Sequence, residues 1–198
     1  MDKYSLLTDA YFGTGLFENG AGLRQHPRED PANYKDRQGL AYYLNYTGPI
    51  VNAAVDPIFK NDIKRDYNGS TLFQAFLDDC DRTGTDYQDF CKSAALQAKL
   101  YGVAYIVVDN SDELAERRSD AVAGRKLPFL KIITPAQIKN WAIDRYGRLT
   151  MFQYTETSQV GANAKNTETY TWTQDSWAIG NGDGKTTGNH NIGCVPVV

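Results

Sequence analysis

The residues best able to do chemistry in this 198-residue chain are few and scattered. Only two histidines occur, His26 and His190, each in a polar stretch. A Ser-His-Asp or Cys-His site needs an imidazole oriented by a third group. Neither histidine has such a neighbour in sequence. The three cysteines, Cys80, Cys91 and Cys194, form no C-x-x-C pair. Together with two histidines they make a poor zinc set, because zinc needs about four convergent N or S donors. Adjacent carboxylates such as Asp78 and Asp79 diverge on a helix rather than converge on a substrate. A glycosidase-like pair could form only from distant segments.

Three stretches resemble ligand loops and fail in detail. Gly180-Asn-Gly-Asp-Gly184-Lys185-Thr186 approaches a phosphate loop, but Ile179 stands where the first glycine belongs. No helical pattern follows it, and the mechanism needs a helix N-terminus to aim N–H groups at phosphate. Gly13-Thr-Gly15-Leu-Phe-Glu18 begins like a dinucleotide fingerprint, yet Glu18 replaces the third glycine and no strand precedes it. Asp79-Cys-Asp81-Arg-Thr83-Gly84 opens like a calcium loop, but Phe90 occupies the place of the bidentate glutamate. A helix end followed by an Asp…Gly turn explains those residues more simply. Trp141, Trp172 and Trp177 could stack sugars or bases. Packing on a sheet is the commoner use of tryptophan, and Tyr170 and Trp172 alternate onto one face.

Composition narrows the classes. Hydrophobic residues make up 41% and charged residues 23%, a globular balance, and the length suits one domain or one domain with an arm. Net charge is −3, so the chain lacks the basic signature of a general nucleic-acid binder. Lys60/Lys64/Arg65, Arg117/Arg118 and Arg125/Lys126 are short clusters that read as solvated faces. An odd cysteine count argues for a reducing compartment. The first residues carry no apolar stretch of signal-peptide length, and no apolar run approaches the roughly 20 residues that span a membrane. The sequons at Asn45 and Asn68 therefore carry little weight.

The elements that must position these residues follow from pattern. Residues 1–33, with crowded glycines and then Pro27 and Pro31, predict an irregular arm. A helix is expected from Tyr34, with Leu40, Tyr43, Leu44 and Thr47 on one face. Pro49 fits the first turn of a second helix, which Pro57 should kink or end. Ser70 is a good N-cap for a third helix, whose Leu72, Phe73, Phe76 and Leu77 form a buried stripe. Thr85-x-x-Gln88 reads as a capping box for a fourth, with Phe90, Ala94, Ala98 and Tyr101 inward and Gly102 as the stop. Val103–Val108 is continuously apolar and predicts a strand buried on both faces. Residues 112–126 read as a charged surface loop or short exposed helix. Strands follow at 129–133, 141–144, 148–156, 167–173 and 176–179, with one helical turn at Thr134-Pro135 and a hairpin turn at Tyr146-Gly147. Residues 180–191 predict a flexible loop. The apolar ending Pro196-Val197-Val198 suggests that structure continues beyond it.

The order of these segments resembles phage portal proteins. Ala41-Tyr-Tyr-Leu-Asn-Tyr-Thr47 with Ile50-Val51 and Ile58-Phe59 looks like the portal helical entry. Leu72–Asp81, Gly84, Phe90 and the Ala-rich helix lead into Tyr101-Gly102-Val-Ala-Tyr-Ile-Val-Val-Asp109, similar to the portal pattern of a helix ending at glycine before an apolar strand closed by Asp. Leu127-Pro128-Phe, Ile133-Thr-Pro135, Ile138, Asn140-Trp141, Asp144 and Gly147-Arg-Leu149 fit the next segment, and Gly193-Cys-Val195-Pro196-Val-Val198 looks like the family's G-x-[IV]-P-[VI] strand. The likeness covers roughly 34–156 and the last six residues, and no catalytic residue comes with it.

The resemblance implies a virion structural subunit, a wing-region portion of a usually dodecameric ring at the capsid vertex. Its partners would be copies of itself, the terminase motor, capsid or scaffold and neck proteins, and double-stranded DNA sliding through without sequence-specific contacts. The subunit would pass through the bacterial host cytoplasm during assembly. The expected fold is α+β. An irregular arm at 1–33 precedes a domain at 34–198, in which a helical layer over about 34–101 packs on a mostly antiparallel sheet built from 103–179. No catalytic, cofactor-binding or metal-binding residues, no cofactor and no membrane contact are expected. The rival is a small ligand-binding or hydrolytic domain whose site assembles only in three dimensions, and a third reading is another phage or secretion-system scaffold.

Overall fold

Asp30 and Pro31 show how local chemistry sets boundaries here. The Asp30 carboxylate accepts the Ala32 N–H at 2.8 Å, and Pro31 supplies the helical φ without needing its own donor. The computed structural model, which describes residues 3–110, 117, 119–120, 127–159, 165–180 and 184–198, therefore begins this helix at Pro31. Arg118, Arg125 and Lys126, most of the 112–126 segment and part of the 180–191 loop lie outside the described residues. The chain is α+β. The described residues hold five α-helices, α1 Lys3–Phe12, α2 Pro31–Leu40, α3 Thr47–Val55, α4 Thr71–Asp78 and α5 Tyr87–Tyr101, and two antiparallel sheets.

The chain divides into two compact units, Met1–Ile63 with Ala95–Val103, and Lys64–Ala94 with Ala104–Val198. The first unit is helical. The irregular arm does not hold over Lys3–Phe12, where α1 forms despite a weak apolar pattern. Its anchors are tertiary. Thr8 shares a 2.7 Å hydrogen bond with the Tyr101 hydroxyl, the Tyr4 and Tyr101 rings meet edge-on at 6.0 Å, and Tyr11 donates to Asn52 at 2.8 Å. The expected helix through Tyr43 and Leu44 ends instead at Leu40. Tyr43 is drawn to α1, donating to the Ala10 carbonyl at 3.0 Å and packing on Phe17 at 4.5 Å. These contacts outweigh the helical periodicity. Pro57 behaves as its chemistry requires: α3 stops and a 3₁₀ turn, Asp56–Phe59, takes over.

The second unit holds the sheets. Strands β1 Tyr105–Asp109 and β2 Phe129–Ile133 form one antiparallel pair. Strands β3 Ile138–Ile143, β4 Leu149–Gln159, β5 Lys165–Thr173, β6 Ser176–Ile179 and β7 Thr186–Asn189 form a meander in that order. The single sheet expected from 103–179 is thus two. The chain turns between them at Thr134–Gln137, where Pro135 opens a 3₁₀ turn and the Thr134 N–H and hydroxyl both donate to Gln137 Oε1. The loop expected at 180–191 becomes strand β7 over 186–189, because threonines pair well in a sheet and β6 offers an open edge. β1 is not buried on both faces; only Val107 is fully buried.

Pairing register lays one aromatic row across the large sheet, Trp141, Phe152, Trp172 and Trp177, ending on Gly188. A parallel row runs Ile138, Tyr154, Tyr170, Ile179 and Thr186. Phe152, Tyr154 and Trp172 are buried against Val107, Ile133 and Val195. Each such aromatic, taken fully from water, stabilises the fold by about 2–3 kcal/mol. Residues 196–198 extend the small sheet: Ile106 and Val108 donate to the Val198 and Pro196 carbonyls at 2.8 and 2.9 Å. A second cluster, Cys80, Phe90 and Leu130, seats α4 and the start of α5. The α4 stripe packs only partly, with Phe76 on this cluster and no side chain of the helix fully buried. Asp86, not Thr85, caps α5, accepting the Asp89 N–H at 2.9 Å. Thr85 is otherwise engaged, its carbonyl accepting the Cys80 N–H at 3.1 Å.

Candidate functional site

The small sheet covers only part of the aromatic face of the large one. Where cover stops, a cleft of about 630 Å³ opens. The large sheet contributes Tyr170, Trp177, Ile179 and Asn189, and the opposite wall brings Arg82, Asp109, Phe129 and Lys131.

Lys131 is the electrostatic centre. Its ammonium lies 3.2 Å from Glu156 Oε2 and 3.7 Å from Asp109 Oδ2, and it sits over the Tyr170 ring at 4.8 Å. Tyr170 stacks on Tyr154 at 5.1 Å and 7°. Burial, with Glu156 and Glu168 close by, pushes the Tyr170 phenol up. Arg82 Cζ lies over the Phe129 ring, 4.4 Å from its centroid, and the guanidinium donates to the Leu127 carbonyl at 3.4 Å. Its backbone is left-handed, φ 66°, a conformation uncommon outside glycine. Gly188 packs under Trp177; a Cβ there would meet the indole at 2.6 Å.

The motifs considered in the sequence resolve as follows. The Asp79–Gly84 stretch is a turn that uses its own carboxylates. Asp81 accepts the Thr83 N–H and hydroxyl, both at 2.8 Å, and Asp79 accepts the Gly84 N–H at 2.8 Å. Burial pushes the Asp81 carboxyl up, but bonds from Thr83 and Thr85 prevail and hold it below its usual range. Among the described residues no group of three His, Cys, Asp or Glu could hold a metal, and no helix is long and apolar enough to cross a membrane. His190 uses both ring nitrogens locally, Nε2 toward the Thr173 carbonyl at 3.1 Å and Nδ1 accepting the Ile192 N–H at 3.3 Å. His26 accepts the Arg28 N–H at 3.2 Å. The structure brings His190, Trp172 and Trp177 to one cleft and leaves His26, Trp141 and the Asp78/Asp79 pair outside it.

Arg82, Asp109 and Lys131 were missed as a group. One signal was legible: Lys131 interrupts an otherwise apolar strand, Phe129-Leu-Lys-Ile-Ile133. Their convergence comes from the β1–β2 pairing, which sets Val107 opposite Lys131 and Asp109 opposite Phe129.

The helical unit carries a different feature. Between Leu40 and Ile58 six large apolar side chains are exposed, Leu40 at 82%, Tyr42 at 81%, and Leu44, Tyr46, Ile50 and Ile58, while Val51 and Val55 are buried. No protein-family model matches the chain, and no curated protein matches it.

Proposed function

We propose that the chain is a structural, non-catalytic subunit portion of a phage portal ring, a conduit for DNA packaging and ejection that docks the terminase motor and neck proteins. The observation that carries this reading is the exposed apolar run from Leu40 to Ile58. Six large exposed hydrophobics in under twenty residues of one unit are a concentration of exposed apolar surface, and such surface marks protein interfaces. This run is also the segment in which the portal resemblance begins. The segment order and the α+β architecture agree with the reading, as does the mild acidity of a chain past which DNA must slide without counterion-driven retention.

The test is the solution mass of the complete gene product by light scattering, with negative-stain images of the same sample. Ring-shaped particles with a central hole support the proposal. A monomer at high concentration across salt conditions overturns it and favours the ligand-binding alternative, for which the cleft of the second unit is the relevant observation.

A further inference from the structure

We infer that the cleft between β1–β2 and the β5–β7 edge is a binding site for a nucleoside monophosphate, with Arg82 receiving the phosphate and Trp177 the base. Arg82 is the central observation. Its guanidinium carbon lies over the Phe129 ring, 4.4 Å from the centroid, and among the described residues no carboxylate reaches ion-pair distance of it. One Nη2 N–H goes to the Leu127 carbonyl at 3.4 Å, and the guanidinium's remaining N–H groups can donate to an oxyanion. The turn holds Arg82 at φ 66°, and Asp81 and Asp79 lock that turn from both sides. Residues kept in such sparsely populated conformations concentrate at ligand sites.

Charge selects the ligand's sign. The cleft is lined by Arg82 and Lys131 against one carboxylate, Asp109, in a chain of net −3. Lys131 is committed to Asp109 and Glu156, which leaves Arg82 as the uncompensated cation. The aromatic wall selects the rest. Tyr170 already carries Tyr154 and the Lys131 ammonium, so Trp177, seated on Gly188, is the ring available for stacking. Bases stack on such rings with about 1–3 kcal/mol each. The amide of Asn189 lines the same cleft and can pair with a base edge. The volume admits one nucleotide.

The experiment titrates the chain with dAMP, deoxyadenosine and inorganic phosphate, read by the tryptophan indole N–H shifts. dAMP should bind about tenfold or more tightly than either fragment. Arg82→Gln should erase the advantage of dAMP over deoxyadenosine, while Trp177→Leu should weaken both; unchanged far-UV circular dichroism shows that each variant folds. A short single strand binding more tightly than dAMP, with steep salt dependence, assigns the nucleotide to nucleic acid; equal binding assigns it to the free pool. No shift with dAMP, no effect of Arg82→Gln, or tighter binding of N-acetylphenylalaninate than of dAMP overturns the proposal. Ring formation is measured separately, so failure of either reading leaves the other standing.

Discussion

Gly188 lies so close to Trp177 that a single added methyl would stand 2.6 Å from the indole Cζ2 and 2.7 Å from Cε2. The two are cross-strand partners on β6 and β7. The φ of Gly188 is not in the left-handed region, so its role is space rather than backbone freedom. Gly188→Ala should therefore displace the indole or unzip β7, at a cost of about 1–3 kcal/mol. Urea unfolding together with near-ultraviolet circular dichroism of the tryptophans checks this. An unchanged midpoint and spectrum would mean that the strand shifts freely to accept the methyl.

Tyr154 is fully buried, yet neither its hydroxyl nor the buried Trp172 Nε1 has a hydrogen-bond partner of good geometry. An unmet buried hydroxyl is a net cost. Tyr154→Phe keeps the ring packing on Phe152 and Tyr170 and removes that cost. The variant should be as stable as the parent or gain up to about 1 kcal/mol. Tyr154→Ala should lose about 3–5 kcal/mol. A loss above about 1 kcal/mol for the phenylalanine variant would reveal a working bond between the hydroxyl and Trp172.

Much of this core was legible because strands announce themselves by period. The alternation of Tyr170 with Trp172 already placed those two rings on one face, and Phe152 with Tyr154 follows the same period. Boundaries set by local chemistry were also readable, as at Ser70, which accepts the Phe73 N–H, and Gly102, which ends α5 at φ 88°. Contacts distant in sequence were not. Nothing near Lys3–Phe12 announces a helix that depends on Tyr101 and Asn52. Nothing in Thr187-Gly188 alone says that a glycine there admits an indole from β6. The cleft is of the same kind, since Arg82 and Lys131 line one cleft only once β1 pairs with β2 and the Cys80 carbonyl accepts the Leu130 N–H at 2.7 Å.

The cysteines should separate cleanly in reactivity. Cys80 is fully buried, and burial pushes its thiol up to about 12. Cys194 is exposed. The thiolate is the reactive form, so a buried, poorly ionised thiol is inert. Iodoacetamide at pH 8 should label Cys194 first and leave Cys80 unmodified until denaturant is added, as peptide mass mapping would show. Rapid native labelling of Cys80 would mean that the loop between α4 and α5 opens readily.

Glu29 and Arg37 form a two-point ion pair, Nε to Oε1 at 2.9 Å and Nη2 to Oε2 at 2.8 Å, and Glu29 also accepts the His26 N–H at 3.1 Å. The Arg37 hydrogen bonds hold the Glu29 carboxyl at about 2, well below its usual 4.5. A carboxyl depressed in the folded state favours folding above its unfolded value, and that contribution fades as pH falls through the folded value. The relevant window is therefore from 4.5 down to about 2. A carboxyl-carbon NMR titration should place the Glu29 midpoint near the lower end. The gap in melting temperature between the parent and Glu29→Gln should narrow as pH falls across that window; a gap constant with pH would show that the pair contributes nothing.

Leu40 and Tyr42 are the most outward of the apolar side chains in the helical unit, at 82% and 81% exposure. Exposed positions away from caps and cores tolerate polar replacement with changes within about 0.5 kcal/mol. Leu40→Ser with Tyr42→Asp should accordingly leave the melting temperature of the chain nearly unchanged. The effect should appear in assembly instead. Burying these two side chains against a neighbouring copy would gain about 2–3 kcal/mol each, and an aspartate at 42 would have to be desolvated there without a partner. In the complete gene product, sedimentation velocity of the double variant should therefore show loss of the ring peak and a rise of the monomer. Rings that persist with a normal melting temperature would remove the Leu40–Ile58 run from the interface, and with it the observation on which the portal proposal stands.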